Sequence, residues 1–204
     1  MGLLSKTVSL TRYRVEGKIE DNIIESIRKG LSKNAISNAE NEVSEQVSGW
    51  TSLEYPYRPD FDNSSFIVGN FFIFSMRIDK KKIPLKVVQK YMAIEIDKRL
   101  TESGREFLTK NEKKRIKDQV LNTLMLKIPS TPHIYDVLWN YEEKYLWFFT
   151  TQKAANEEFE NLFNRSFHLP LIRLFPYTTA DLQCGLSDSQ KDVLNKQTPS
   201  VFTV

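Results

Sequence analysis

The sequence is poor in the residues that build covalent or metal cross-links. Its 204 residues include one cysteine, Cys184, and two histidines. A single cysteine excludes an intramolecular disulfide framework, and a zinc site of the Cys/His type needs more such ligands than the chain offers. We therefore predict no disulfide, no metal site and no cofactor. A protein of this composition is compatible with a reducing cytoplasm.

Glycine and long apolar runs are scarce as well. With 7 glycines, the chain has no glycine-rich loop of the kind that cradles a phosphate group. No apolar run reaches the roughly 18 residues that a membrane span needs. The first residues, MGLLSKTVSL, hold only a short apolar patch, so we expect neither a signal peptide nor a membrane partner. Together these absences predict a cytoplasmic protein.

Charge is present in abundance but is unevenly distributed. Apolar residues make up 40% of the chain and charged residues 27%, which is typical of a globular protein, and the net charge is a mild +3. The segment from Arg77 to Lys117, however, contains 14 Lys and Arg against 6 Asp and Glu, a net +8, while the rest of the chain carries −5. Such asymmetry is typical of an anion-binding surface.

Hydrophobic periodicity predicts an α+β fold. Alternating or continuous apolar residues predict strands at residues 5–15, 66–78, 134–141, 144–151 and 169–175. Helical spacing predicts helices at residues 20–33, 84–100, 110–128 and 152–167, and a short one near 187–196. Residues 34–49 are predicted as a loop or weak helix. We expect one domain over residues 1–175, an antiparallel or mixed sheet backed by helices, followed by a polar tail over residues 176–204.

The second and third predicted helices form a helical hairpin over about residues 84–128. Pro84 suits the first turn of a helix, and Ser103-Gly104 is a natural stop. Thr109 and Glu112 have the spacing of a capping box, which predicts that the next helix begins near Lys110. The hairpin is expected to project from the sheet and to carry most of the basic segment.

The basic residues of this segment are the candidate functional residues. Lys110, Lys114 and Lys117 share one helical face, which the sequence places away from the apolar stripe. Such a face is either simply solvated or built to hold an anion, and the scarcity of neighbouring acids favours the anion. The predicted DNA-binding residues are Arg77, Lys80, Lys81, Lys82, Lys86, Lys90, Lys110, Lys113, Lys114 and Lys117.

DNA is the polyanion that spaced lysines bind most commonly, and lysine contacts phosphates rather than base edges. The chain has no helix-turn-helix, zinc-finger or RNA-recognition signature. We therefore predict binding to DNA with little sequence preference, and we assign no catalytic residue. A protein-interaction module with an acidic partner stays open as an alternative.

A second alternative is a Mg²⁺-dependent nuclease. Asp60, Asp79 and Lys81 fit the spacing of a site in which two carboxylates hold the metal and a lysine positions the attacking water. No convincing third carboxylate accompanies them, and these residue types are common in the chain. The structural alternative is that Asp60 caps a turn and Asp79 ends a strand.

The order of several segments resembles the bacterial recombination-associated RdgC family. The likeness is carried by Tyr13-Arg14, Gly49-Trp50, the passage from Met76 to Pro84 and the stretch TKNEKKRIKDQVL that begins at Thr109. It continues through VLWNYEEKYLWFFTTQKAANEEFENLF and LPLIRLFPYTTAD.

The resemblance implies a non-enzymatic, nucleoid-associated DNA-binding protein that acts in recombination. Family members form a ring-shaped dimer that encircles duplex DNA, with a basic inner surface and a hairpin tip that meets the partner subunit. Some members carry an exonuclease label. Typical members are longer than this chain, and we expect residues 176–204 to be a tail or the start of the region that builds the base of the ring.

Overall fold

The computed structural model describes residues 2–19, 22–37, 44–62 and 65–197. Within these ranges the chain forms seven strands and six helices. The strands are β1 (Thr11–Val15), β2 (Gln46–Thr51), β3 (Ile67–Val68), β4 (Phe71–Lys80), β5 (Thr131–Asn140), β6 (Tyr145–Phe148) and β7 (Leu171–Leu174). The helices are α1 (Ile23–Lys33), α2 (Leu85–Ser103), α3 (Lys110–Lys127), α4 (Lys153–Phe167), α5 (Pro176–Gln183) and α6 (Asp188–Lys196).

The strands form one antiparallel sheet in the order β2-β4-β5-β6-β1-β7, and β3 adds a short hairpin to β4. The longest pairing joins β4 to β5, from Phe71 opposite Asn140 to Lys80 opposite Thr131. The hairpin of β3 and β4 turns at Gly69, which has a positive φ of 57°. These features confirm the predicted α+β class.

Helices α1 and α4 cover one face of the sheet and enclose an aromatic core. Alternate residues of β4 and β5 point into this core, and Phe74, Val137 and Trp139 are fully buried there. Phe148 of β6 stacks on Phe159 of α4, with ring centroids 4.2 Å apart. This alternation of buried and exposed positions follows from the two-residue period of a strand.

Strand β2 begins within residues 34–49, for which the sequence predicts a loop or weak helix. Residues 38–43 of that prediction lie outside the described part of the chain. The β2 sequence, QVSGWT, is too polar to show alternation, but it pairs with β4 along its whole length. A Cβ atom on Gly49 would lie 2.5 Å from the backbone of Ile36. The close approach of β2 to the segment after α1 therefore requires glycine at this position.

Two other boundaries differ from the prediction. Helix α5 forms within the predicted polar tail, and its Pro176 occupies the first turn, where its missing N–H costs no hydrogen bond. Strand β5 begins at Thr131, three residues before the predicted strand at residues 134–141, and so includes Pro132. Proline is tolerated there because β6 pairs only with residues 137–140 of β5, which leaves Pro132 at an edge.

The helical hairpin of α2 and α3 has a small core of its own. Val88, Leu108, Ile116, Val120 and Leu124 are buried together and form a cluster separate from the main core. Gly104 ends α2 in the left-handed conformation, and the capping box of Thr109 and Glu112 begins α3, both as predicted. Pro84 is the N-cap of α2, so the helix begins one residue later than predicted.

Candidate nucleic-acid interface

Four lysines on the first half of α3 are exposed to solvent: Lys110, Lys113, Lys114 and Lys117. Within the described residues none of the four has an acidic side chain within ion-pairing distance. Two acids of the hairpin are engaged elsewhere, because Glu95 pairs with Arg99 at 3.6 Å and Glu112 pairs with Arg105 at 2.8 Å. The first half of α3 therefore presents an excess of positive charge.

The placement of these lysines on α3 corrects one prediction. Lys117 lies seven residues before the buried Leu124, and Lys114 lies seven residues before the half-buried Leu121. Residues seven apart share a helical face. The lysines thus lie on the same side of α3 as these leucines, and not on the side away from the apolar stripe.

A second group of cations lies at the root of the hairpin. Lys80 at the end of β4 and Lys82 just after it line an open cavity of about 470 Å³ together with Thr131 and His133 of β5. Lys82 is exposed and Lys80 is half-buried. Lys86 and Lys90, in the first turns of α2, are exposed, and the Lys90 ammonium lies 5.9 Å from the centroid of the Tyr91 ring.

Two of the predicted DNA-binding residues have their charged groups turned toward the protein. Arg77 donates two hydrogen bonds to the Asp79 carboxylate, of 2.7 Å and 2.5 Å, and its guanidinium lies 5.3 Å from the ring centroid of Tyr57. Lys81 is 5% exposed, and its Nζ donates a hydrogen bond of 3.0 Å to the carbonyl of Met125. Both cations have structural partners in the fold.

The three residues of the nuclease alternative also have partners of their own. Both carboxylate oxygens of Asp79 accept from Arg77, and Lys81 reaches α3. Asp60 accepts a hydrogen bond from the backbone N–H of Asp62, as a turn-capping residue does. In the part of the chain that the structure describes, no three His, Cys, Asp or Glu side chains are grouped as metal ligands. Asp79 would have to release Arg77 before it could ligate a metal.

Glu112 holds the turn that leads into α3. The backbone N–H of Thr109, then Arg105 and the Thr109 hydroxyl, all donate to its carboxylate and lower the pKa of Glu112 to about 2. Because the Glu112 carboxylate stays ionised at neutral pH, it keeps its hydrogen bonds with Thr109 and Arg105 and stabilises the start of α3. This anion is therefore not available to neutralise the neighbouring lysines.

The match to known proteins covers the sheet and the hairpin together. Residues 8–183 match the family model described as "Putative exonuclease, RdgC". The chain belongs to the RdgC family. A search of curated proteins returned no match. Within the ranges that the structure describes, none of the helices of this RdgC-family chain has both the length and the apolar character of a membrane span.

The face of the sheet that α1 and α4 leave uncovered carries residues that the sequence analysis did not select. Strand β1 pairs with β6 so that Arg12 lies opposite Trp147 and Arg14 lies opposite Tyr145. All four line a cavity of about 380 Å³ beneath α5. The signal was present as alternating cations in TRYRV and alternating rings in YLWF, but the two strands lie far apart in the sequence.

Proposed function

We propose that this RdgC-family protein binds duplex DNA without sequence preference through the basic face of its helical hairpin. The observation that carries the proposal is the set of exposed, unpaired lysines on the first half of α3. Lys82 and Lys86 add exposed cations at the root of the hairpin, at the opposite end from the start of α3. Lysines that contact phosphates position a protein on DNA but do not read bases. Binding of this kind needs no sequence-reading motif, and the sequence contains none of the motifs named above.

The spacing of the lysines suits a phosphate backbone. Lys110 and Lys117 are separated by two helical turns, a distance of about 10 Å at 1.5 Å per residue. Over that distance a duplex presents about six phosphate charges. Each lysine that neutralises a phosphate releases condensed counterions, so affinity should fall steeply as salt rises.

We further propose that the protein acts as a homodimer, associated with the nucleoid, in recombination. Membership of the RdgC family supports this role. The hairpin tip offers an apolar side chain for a subunit contact, because Phe107 is 75% exposed between α2 and α3. Sedimentation of the protein and of a Phe107→Ser variant tests the dimer; a monomeric unaltered protein would contradict it.

The decisive test is the salt dependence of duplex binding, measured by fluorescence anisotropy in the absence of Mg²⁺. The triple variant Lys113→Ala, Lys114→Ala, Lys117→Ala should bind more weakly, and its slope of log K against log salt should be shallower by about 2.7, or 0.9 per lost phosphate contact. The triple variant Lys29→Ala, Lys33→Ala, Arg165→Ala removes the same charge from α1 and α4 and should keep the original slope. Absence of binding at low salt would overturn the proposal and would favour an acidic protein partner.

An exonuclease is the second candidate, supported by the description of the matching family. It predicts Mg²⁺-dependent release of nucleotides from an end-labelled duplex, lost in an Asp79→Ala variant. Because Asp79 also holds Arg77, the unfolding transition of that variant must be measured alongside its activity. Cleavage that persists in folded Asp60→Ala and Asp79→Ala variants would remove these residues from the reaction.

A further inference from the structure

The cavity between the uncovered sheet face and α5 combines cations with aromatic rings. Its floor is formed by Arg12 and Arg14 of β1 and by Tyr145 and Trp147 of β6, and Lys144 lies at its rim. Leu174 of β7 and Thr179, Leu182 and Gln183 of α5 complete the walls. A volume of about 380 Å³ lies within the range of about 300–1,000 Å³ that is usual for small-ligand sites.

The rings in this cavity are available for stacking. Trp147 is 38% exposed and Tyr145 is 41% exposed, although both belong to a strand in the middle of the sheet. No other aromatic ring of the described residues packs against either one. The remaining tryptophans, Trp50 and Trp139, are fully buried in the main core and have several ring partners there. Trp147 is thus the tryptophan that a ligand on the sheet face would meet.

The charges around the rings favour an anion. The cavity is lined by three cations and one carboxylate, that of Glu143, which accepts a hydrogen bond of 3.4 Å from the Tyr145 hydroxyl. Arg14 pairs with Glu16 at 2.7 Å, whereas Arg12 and Lys144 have no ion-pair partner among the described residues. Residues directly opposite each other on paired strands have Cβ atoms about 5 Å apart, so the Arg12 guanidinium and the Trp147 ring can bind one ligand together.

We propose that this cavity is a second nucleic-acid site, which binds an unpaired nucleotide of a single strand. The base stacks on Trp147, and the adjoining phosphate is held by Arg12 and Lys144. A duplex does not suit this site, because its bases already stack on their neighbours and do not offer their faces. Every base has such a face, so the site is tolerant of sequence. The site is separate from the hairpin and does not depend on the hairpin lysines.

The experiment measures binding of a fluorescein-labelled twelve-residue oligothymidylate to the full chain by anisotropy. A Trp147→Leu variant should bind the oligonucleotide more weakly by about fivefold or more, the loss expected for one stacked base. Trp147→Phe retains a ring and should bind like the unaltered protein, and the unfolding transition of Trp147→Leu shows that its strand still folds. Tyr55→Leu removes an exposed ring outside the cavity and serves as the matched control.

The cation contribution is tested in the same way. Arg12→Ala should weaken oligonucleotide binding, whereas Arg165→Ala, which removes an exposed arginine from α4, should not. Binding of the oligonucleotide should also quench the tryptophan fluorescence of the unaltered protein, and this quenching should be lost in Trp147→Phe because the other two tryptophans are buried.

The outcomes separate this site from the proposed duplex surface. The hairpin variant with three lysines replaced should lose duplex affinity but keep the quenching of Trp147 by the oligonucleotide. If duplex binding fails while oligonucleotide binding depends on Trp147, the duplex proposal is wrong and this inference stands. Oligonucleotide binding that is unchanged in both Trp147→Leu and Arg12→Ala overturns the inference. Displacement of the oligonucleotide by polyglutamate of equal charge would also overturn it, in favour of an acidic protein segment.

Discussion

The ammonium group of Lys81 donates a hydrogen bond of 3.0 Å to the backbone carbonyl of Met125. This bond joins the end of β4 to the last turn of α3 and so closes the root of the helical hairpin. A cation also interacts favourably with the carboxyl-terminal end of a helix, where carbonyl groups lack helical partners. Lys81 therefore holds the hairpin on the sheet, although the sequence presents it as one of three adjacent lysines.

Replacing this buried cation should affect stability and not DNA affinity. Lys81→Met leaves the Met125 carbonyl without its donor and should lower the free energy of unfolding by about 1–3 kcal/mol. Lys82→Met, at the exposed neighbouring position, should leave stability within about 0.5 kcal/mol and weaken duplex binding. Urea denaturation and anisotropy measure the two effects. Equal loss of DNA affinity in both variants, with no change in stability, would contradict this role for Lys81.

The ion pair of Arg77 and Asp79 should stabilise the sheet only as a pair. Asp79 is 1% exposed, so Asp79→Ala leaves the Arg77 guanidinium largely buried without a counter-charge and should cost about 3–5 kcal/mol. The double variant Arg77→Leu, Asp79→Leu removes both charges and should recover most of that loss. Urea unfolding measures the free energy of unfolding of both variants. An Asp79→Ala variant as stable as the unaltered protein would refute this role for the ion pair.

Gly49 should not accept a side chain. A Cβ atom at this position would lie 2.5 Å from the backbone N and Cα of Ile36, and backbone atoms cannot move aside as a flexible side chain can. We expect Gly49→Ala to lower stability by about 1–3 kcal/mol, and each kcal/mol lowers Tm by about 2–4 °C for a chain of this size. Gln46→Ala, at an exposed position of the same strand, is the control. An unchanged Tm for Gly49→Ala would show that β2 can shift away from Ile36.

The carboxyl group of Glu112 should titrate far below its ordinary value. Its pKa is lowered from 4.5 to about 2 by its hydrogen bonds with Thr109 and Arg105. Because the folded-state pKa is depressed, the stabilisation from this cap is fully present above pH 4.5 and is lost as pH falls toward 2.

Carbon-detected NMR of the Glu112 side-chain carboxyl measures this titration directly. Arg105→Ala removes one of the donors and should raise the midpoint. Glu112→Gln retains a side chain that can complete a capping box and should preserve the start of α3. A midpoint near 4.5 in the unaltered protein would mean that the cap is open in solution.

The helical hairpin could be predicted because its signals are local. The stop at Gly104 and the capping box of Thr109 and Glu112 act over a few residues, and the structure has both. Strand β2 could not be predicted in the same way, because QVSGWT becomes a strand only through its pairing with β4. Helix α5 has a clear local start at Pro176 but little apolar periodicity, so the prediction placed it in a tail.

The candidate site was predicted in part for the same reason. The exposure of Lys113, Lys114 and Lys117 follows from their density on one stretch of α3, which no core could bury. The inward direction of Lys81 depends on Met125, which lies 44 positions further along the chain. Composition alone cannot separate a lysine that faces solvent from a lysine that caps a distant helix.

The sequence by itself determined the α+β class, the bounds of the hairpin, the concentration of positive charge within it and the family resemblance, because propensity, capping and composition are properties of neighbouring residues. The tertiary structure decided which cations remain available to a partner, because ion pairs and buried hydrogen bonds join residues that are distant in the chain. It also decided that Arg12 and Trp147 lie side by side, since the register between β1 and β6 is set by strand pairing and by the core beneath it.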